Sequence, residues 1–234
     1  MNFKNKKILV VFAHPDDELL GLGATIHKLI HEQSCVVRAV ILGEGITSRS
    51  DERDTEKWEE QLKIHRQNIQ DAQKAIGYQS VGIYDFPDNR FDTVALLDII
   101  KVIEKEKEEF KPEIIFTHHL GDVNIDHQRT FEAVITATRP MKQERVKTII
   151  TFETPSGTEW RASSDPKHFV PNLCIEVSKK NIEAKIKAME SYEFEKREFP
   201  HPRSPKALLI LAEYRGFSVG KEYSESFNIV RHIL

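Results

Sequence analysis

Lys7-Ile8-Leu9-Val10-Val11-Phe12 runs directly into Ala13-His14-Pro15-Asp16-Asp17-Glu18, and this junction decides the fold. The first six residues are a β-rich apolar run of buried-strand length. From Leu19 to Glu32, Leu22, Ile26, Leu29 and Ile30 recur at helical spacing, and a second apolar run, Cys35 to Leu42, stops at Gly43-Glu44-Gly45. Strand, helix, strand in this order predicts a βαβ unit and a parallel sheet.

The alternation continues downstream. Ile46 to Asp54 is polar and reads as a loop, Glu56 to Ile76 as a long helix, and Ser80 to Phe86 as a third strand ending in the turn-forming Pro87-Asp88-Asn89-Arg90. Val94 to Phe110 carries Leu96, Leu97, Ile100 and Ile103 with charges between them. The run Glu104 to Glu109 is therefore expected to be the wet face of an amphipathic helix. Pro112 to Thr117 is a fourth strand, about Asp126 to Thr138 a helix, and Thr148 to Phe152 a fifth strand. Beyond it the pattern weakens, with Asn172 to Val177 read as a strand and Lys180 to Tyr192 and Lys206 to Tyr214 as helices. No repeat, low-complexity segment or linker interrupts the chain, so residues 1–234 are expected to form one α/β domain.

The 234 residues carry a formal net charge of -3, and no block of Lys or Arg stands apart from compensating acids. That argues against a nucleic-acid surface and leaves room for a local basic pocket. The run Ile8 to Ala13 is too short for a signal-peptide core, and no stretch approaches the roughly 20 apolar residues of a membrane span. Cys35 and Cys174 lie far apart and form no CxxC pair, which predicts buried free thiols and a reducing cytoplasm.

Chemistry-bearing residues concentrate at two strand ends. Ligand sites of open parallel sheets lie outside the carboxyl ends of the strands, where His14-Pro15-Asp16-Asp17-Glu18 falls. Packing so much charge at a strand end is costly unless partners offset it, and a divalent cation would do so. The second concentration, His118-His119-Leu120-Gly121-Asp122-Val123-Asn124-Ile125-Asp126-His127, follows the fourth strand and should open on the same edge. Two His and one carboxylate, with a position left for water, make the donor set of a catalytic zinc site. Magnesium would favour carboxylates and water over two imidazoles. Of two neighbouring carboxylates, one can bind the metal while the other takes a proton from water whose pKa the metal lowers to about 7. This is the pattern of metal-assisted hydrolysis.

Blander roles compete for some of these residues. His14 taken alone could be a hydrogen-bonded core histidine, and His127 a polar helix start. A solvent-lined loop explains His118 and His119 nearly as well as a site does. Gly21 and Gly23 fail the dinucleotide pattern and are better explained by close helix–sheet packing. Glu18 is expected to cap or neutralise the start of the first helix. Asp51 to Glu60, with Trp58, reads as a substrate lid or an exposed helix start. Pro200-His201-Pro202-Arg203-Ser204-Pro205 reads as a rigid surface connection, or as a place where His201 and Arg203 meet a phosphate or sugar hydroxyls.

His14 to Glu18, the following Gly21-Leu22-Gly23 and Asp126-His127 resemble the PIG-L/LmbE-like N-acetyl-sugar deacetylases. The likeness extends to Gly43-Glu44-Gly45, Asp88-Asn89-Arg90, Arg215-Gly216 and Tyr223-Ser224-Glu225-Ser226-Phe227. The resemblance implies a Rossmann-like three-layer fold and one divalent ion, usually zinc. It implies His14, Asp17 and His127 as metal ligands and Asp16 as general base. Asp126 joins the catalytic set as the group supporting the histidine pair, Arg66 is the substrate-binding pocket arginine, and Tyr223 is a weak candidate for an oxyanion donor. Asn124 departs from the pattern, since many members have His at that position. An amide can donate a hydrogen bond to substrate but cannot deliver a proton, so the general acid stays open among Asp16, His118 and His119.

The activity implied is hydrolysis of the acetamide of an N-acetylated sugar or nucleotide-sugar in the cytoplasm, tied to bacterial surface-sugar synthesis. Its rivals are a zinc hydrolase of another amide or ester and a non-catalytic metal-dependent sugar-binding module. A nucleotide-binding module comes third and lacks its glycine fingerprint. Neither nucleic acid nor membrane is an expected partner, and self-association into a homo-oligomer stays open.

Overall fold

The structure, a computed structural model, describes residues 1–234. Five strands run parallel: β1 (Lys7–Phe12), β2 (Val36–Gly43), β3 (Ser80–Phe86), β4 (Ile114–His118) and β5 (Thr148–Phe152). Beyond β5, β7 (Ser224–His232) pairs antiparallel both with β5 and with β6 (Leu173–Glu176). The single sheet has the order β3-β2-β1-β4-β5-β7-β6.

The apolar run of β1 shows why the sheet has helices on both faces. Ile8, Val10 and Phe12 enter one core, with Leu19 and Ile26 of α1 (Asp17–Gln33), Ile69 and Ile76 of α2 (Glu59–Ile76) and Met189 of α5 (Lys179–Met189). Leu9, Val11 and Ala13 enter the other, with Ile99 and Ile103 of α3 (Leu96–Phe110) and Ala133 and Val134 of α4 (Ile125–Ala137). Alternate residues of a strand point to opposite faces, so an unbroken apolar run requires cover on both sides. Each such side chain contributes roughly 1.5–3 kcal/mol on burial. Sequence order turns back at β1, whose neighbours are β2 and β4. The loops after β1 and β4 therefore flank the crevice where this architecture places ligands.

The glycines of α1 serve close packing, Gly21 against the sheet as expected and Gly23 against helix α5 instead. A Cβ on Gly21 would collide with the Phe152 ring, and one on Gly23 would lie 3.0 Å from Lys185 Cγ. Leu22 leaves the helical region at φ -148. Just beyond it, the Glu225 carboxylate accepts the N–H groups of Ala24 at 3.4 Å and Thr25 at 2.7 Å.

Two expectations need correction. Glu106 is not on a wet face: it is buried, receives Arg38 at 2.6 and 3.0 Å, and accepts the Tyr84 hydroxyl at 2.8 Å. It lies on the inward stripe of α3 below Ile99 and Ile103, where a cation on β2 outweighs its intrinsic polarity. The sequence reading also assigned no strand after Tyr214, yet β7 fills the gap between β5 and β6. Both cysteines are free, Cys35 buried and Cys174 half-buried. No helix is long and apolar enough to cross a membrane.

Candidate active site

Where β1 ends, the backbone turns sharply. Asp16 adopts φ 109, a left-handed conformation that a non-glycine residue holds only under constraint from its surroundings. The constraint comes from beneath. The Asp16 N–H donates to Glu18 Oε2 at 3.2 Å, while Glu18 Oε1 accepts the hydroxyls of Tyr78 at 2.7 Å and Tyr192 at 2.8 Å. Glu18 thus anchors the loop through a buried network, a larger task than neutralising a helix start. Burial lifts its carboxyl to about 7 against the pull of the two tyrosines.

Asp17 occupies the centre of the cluster. Its Oδ2 accepts the His14 N–H at 2.8 Å and lies 3.5 Å from His14 Nδ1, 3.3 Å from His118 Nε2 and 3.4 Å from His127 Nε2. Ligand atoms of His14, Asp17 and His127 all fall within 4.8 Å of one another. Each of the two imidazoles has a carboxylate behind it. Asp126 Oδ2 lies 2.8 Å from His14 Nε2, and the Asp126 carboxylate also accepts the N–H groups of Asn89 at 2.6 Å and Phe91 at 2.8 Å. Asp122 Oδ2 stands 3.2 Å from His127 Nδ1 and accepts the Thr158 hydroxyl at 2.6 Å. Carboxylates so placed fix ring orientation and raise imidazole basicity, the support that metal-binding histidines usually require.

The electrostatics call for a cation at this point. Burial alone would depress both imidazoles. Instead Asp126 and Asp17 hold His14 well above its ordinary value, and Asp17 and Asp122 hold His127 at about 9. Burial pushes Asp17 up, but His127 and His118 more than reverse it and hold the carboxyl well below the usual range. Positive charge that protonated rings supply here is charge a divalent ion would supply instead, releasing the protons. Two imidazoles and one carboxylate fit such an ion.

Asp16 stands beside this cluster. It is buried, its Oδ2 accepts Arg203 Nη1 at 2.9 Å, and its Oδ1 has no hydrogen-bond partner. Burial holds its carboxyl well above the ordinary range, against the opposing Arg203 charge. Asp16, Asp17, His14 and His127 open into a cleft of about 300 Å³ whose walls include Arg49, Arg197, His201 and Arg203.

The remaining candidates separate clearly. Asn124 lines the cleft, but it also caps α4, its Oδ1 accepting the Asp126 N–H at 2.8 Å and its Nδ2 donating to Asn89 Oδ1 at 2.9 Å. Arg66 lies outside this cleft, on a neighbouring cavity of about 640 Å³ under α2 that shares Pro15 with it. His118 and His119 are buried, which overturns the solvent-lined reading. His118 accepts the Ala13 N–H at 3.0 Å and stacks 3.8 Å from His127, while His119 Nε2 pairs with the Lys167 carbonyl at 2.9 Å. Neither lines the cleft, whereas His201 does. Tyr223 packs against a cluster around Ala24 and Val177 instead. Sequence reasoning missed Asp122, Glu195 and the pairing of Arg203 with Asp16. Asp122 lay within the quoted His-rich loop, but residues 195–203 carry no periodicity that would point to β1.

The sequence profile of the PIG-L family, described as GlcNAc-PI de-N-acetylase, matches residues 9–138, more than half of the chain. The chain belongs to the PIG-L family. Among curated relatives, an uncharacterised deacetylase of Escherichia coli K12, YaiS, is 27% identical over 194 residues, covering 81% of this chain and 91% of the relative. A probable N-acetyl-alpha-D-glucosaminyl L-malate deacetylase 2 of Bacillus anthracis is 28% identical over 185 residues, covering 77% and 80%. The solved N,N'-diacetylchitobiose deacetylase of Pyrococcus horikoshii superposes with a TM-score of 0.75 at 19% identity, over 97% of this chain and 84% of that one. That likeness establishes the shared fold. The PIG-L match spans both loops that build the acid–imidazole cluster and stops before residues 195–203.

Proposed function

We propose that the protein is a zinc-dependent N-deacetylase that hydrolyses the acetamide of an N-acetylated sugar or sugar conjugate, free or nucleotide-linked, releasing acetate and the free amine. The observation that carries this reading is a single juxtaposition. His14, Asp17 and His127 turn their ligand atoms toward one point, and Asp16 stands beside them with one carboxylate oxygen unbonded. Membership of a de-N-acetylase family and deacetylase relatives support the same chemistry.

In this reading His14, Asp17 and His127 hold one divalent ion. Bound there, the ion would polarise the acyl carbonyl and lower the pKa of water in the cleft. The chain's own residues do the rest. Asp126 and Asp122 hold the two rings in place. Asp16 receives a proton from the attacking water at Oδ1 and can return it to the leaving amine, a carboxyl lifted by burial being suited to proton transfer near neutral pH. The Asn124 side chain, engaged as a helix cap, holds α4 in register and contributes no proton. A cleft lined by arginine, asparagine, serine and histidine matches a hydroxyl-rich substrate. A place in bacterial surface-sugar synthesis and action in the cytoplasm belong to this proposal.

Acetate release from a panel of free and nucleotide-linked N-acetyl sugars, with and without a chelator, tests it. Release should stop with chelator and return with zinc. Asp16→Ala should retain its metal while turnover falls about 10²–10⁴-fold. Tight sugar binding by metal-loaded protein with no product from any sugar would overturn catalysis in favour of a binding module.

A further inference from the structure

Arg203 reaches the site from far along the chain, and its guanidinium is engaged on three sides. Nη1 donates to Asp16 Oδ2 at 2.9 Å and to Glu195 Oε2 at 2.8 Å, and Nε donates to Ser156 Oγ at 2.6 Å. Glu195 is buried and is itself held by Arg49 Nη2 at 2.5 Å. The backbone here is fixed as well. The Arg203 N–H donates to His201 Nδ1 at 3.2 Å, and Ser204 caps α6 (Pro205–Phe217) by accepting the Ala207 N–H at 3.2 Å. Asp16, by contrast, has no side-chain hydrogen bond other than the one to Arg203. Its neighbours in sequence fix its backbone but not the rotation of its carboxylate.

We propose that Arg203 is a positioning residue for Asp16: by occupying Oδ2 it leaves Oδ1 as the oxygen that faces the reaction, with Glu195 and Ser156 holding the guanidinium in place. The inference rests on the reading of Asp16 as general base. Both Nη1 hydrogens are taken by protein carboxylates, which suits a group that holds another side chain, while Nη2 makes no hydrogen bond to the protein and the cleft is open to it, so the split between KM and kcat separates the two roles. A planar donor with several fixed N–H directions is needed because three acceptors, two on Nη1 and one on Nε, must be met at once. An ammonium on a flexible stem meets a single point.

The test compares Arg203→Met and Arg203→Lys with the wild type, all loaded with zinc. Arg203→Met should keep its metal and its KM within about threefold while kcat falls about a hundredfold, the loss expected from a misplaced catalytic group. Added guanidinium ion should restore part of it, and Arg203→Lys should fall between the two. Crystal structures of the zinc-loaded proteins give a readout independent of turnover. The Asp16 carboxylate should be single and ordered in the wild type, and rotated or split between conformers in Arg203→Met. An unchanged Asp16 conformation with kcat within twofold would overturn the proposal, as would a loss confined to KM, which marks a substrate-binding residue. If the wild type released no acetate from any sugar, the deacetylase reading would fall. The crystallographic comparison would still decide whether Arg203 holds Asp16.

Discussion

On one side of the cleft, His14, Asp17 and His127 hang from the end of β1 and the start of α4, and Asp126 and Asp122 back the two rings. On the other side, Arg49, Arg197 and Arg203 stand on connecting segments and gather about one carboxylate, Glu195, at 2.5, 3.7 and 2.8 Å. The first wall is built on strand ends whose positions the whole sheet fixes, and the family profile covers all of it. The second wall stands on loops, where substitution costs the core little. The difference teaches that the residues proposed to face a metal stand where the fold is least able to move, while the arginine wall stands on segments that can change.

The largest expected effect tests the rigid wall. His127→Ala should abolish both metal retention and turnover, measured by metal content after gel filtration and by acetate release. Retained zinc with residual activity would place the ligand set elsewhere. A smaller effect should come from the layer behind it. Asp126→Asn keeps the shape but weakens the hold on His14, and should reduce metal affinity about 10–100-fold, read by competition with a chromophoric chelator. Affinity equal to wild type would reduce Asp126 to a backbone anchor.

The smallest effect concerns His65, which lines the neighbouring cavity, is buried, and has no partner at either ring nitrogen. Burial, helped by the Arg49 charge, depresses its pKa to about 4. The folded state therefore resists a proton that the unfolded chain accepts below its ordinary value of about 6.5. The stabilising contribution is complete above pH 6.5 and is lost as pH falls toward 4. Between pH 7 and 5 the loss should be about 2 kcal/mol, measured by urea denaturation and absent from His65→Gln. Parallel pH profiles for the two proteins would refute it.

Much of the rigid wall is legible in the sequence alone. An unbroken apolar strand followed by His-Pro-Asp-Asp-Glu announces both a sheet buried on two faces and charge at its edge, because strand periodicity and the cost of buried charge are local properties. Boundaries were legible to within a few residues, as for α2, read from Glu56 and folded from Glu59. Glu106 escaped because its burial depends on Arg38, 68 residues away. β7 escaped because its residues alternate weakly and gain a strand's hydrogen bonds only from two neighbours the sequence does not place beside it. The pairing of Arg203 with Asp16 escaped for the same reason at longer range, the two being 187 residues apart.

The position of β7 also bears on how the protein comes to exist in a cell. β6 has no sheet neighbour other than β7, so a growing chain can lay down β1 to β5 while β6 still waits for a strand not yet synthesised. Residues between β6 and β7, Arg203 among them, are tethered to the sheet at both ends only once β7 has docked. A ribosome-bound chain can thus assemble the acid–imidazole cluster well before the segment that carries Arg203 is locked against Asp16, and on the proposed reading competence for turnover would arrive late in synthesis.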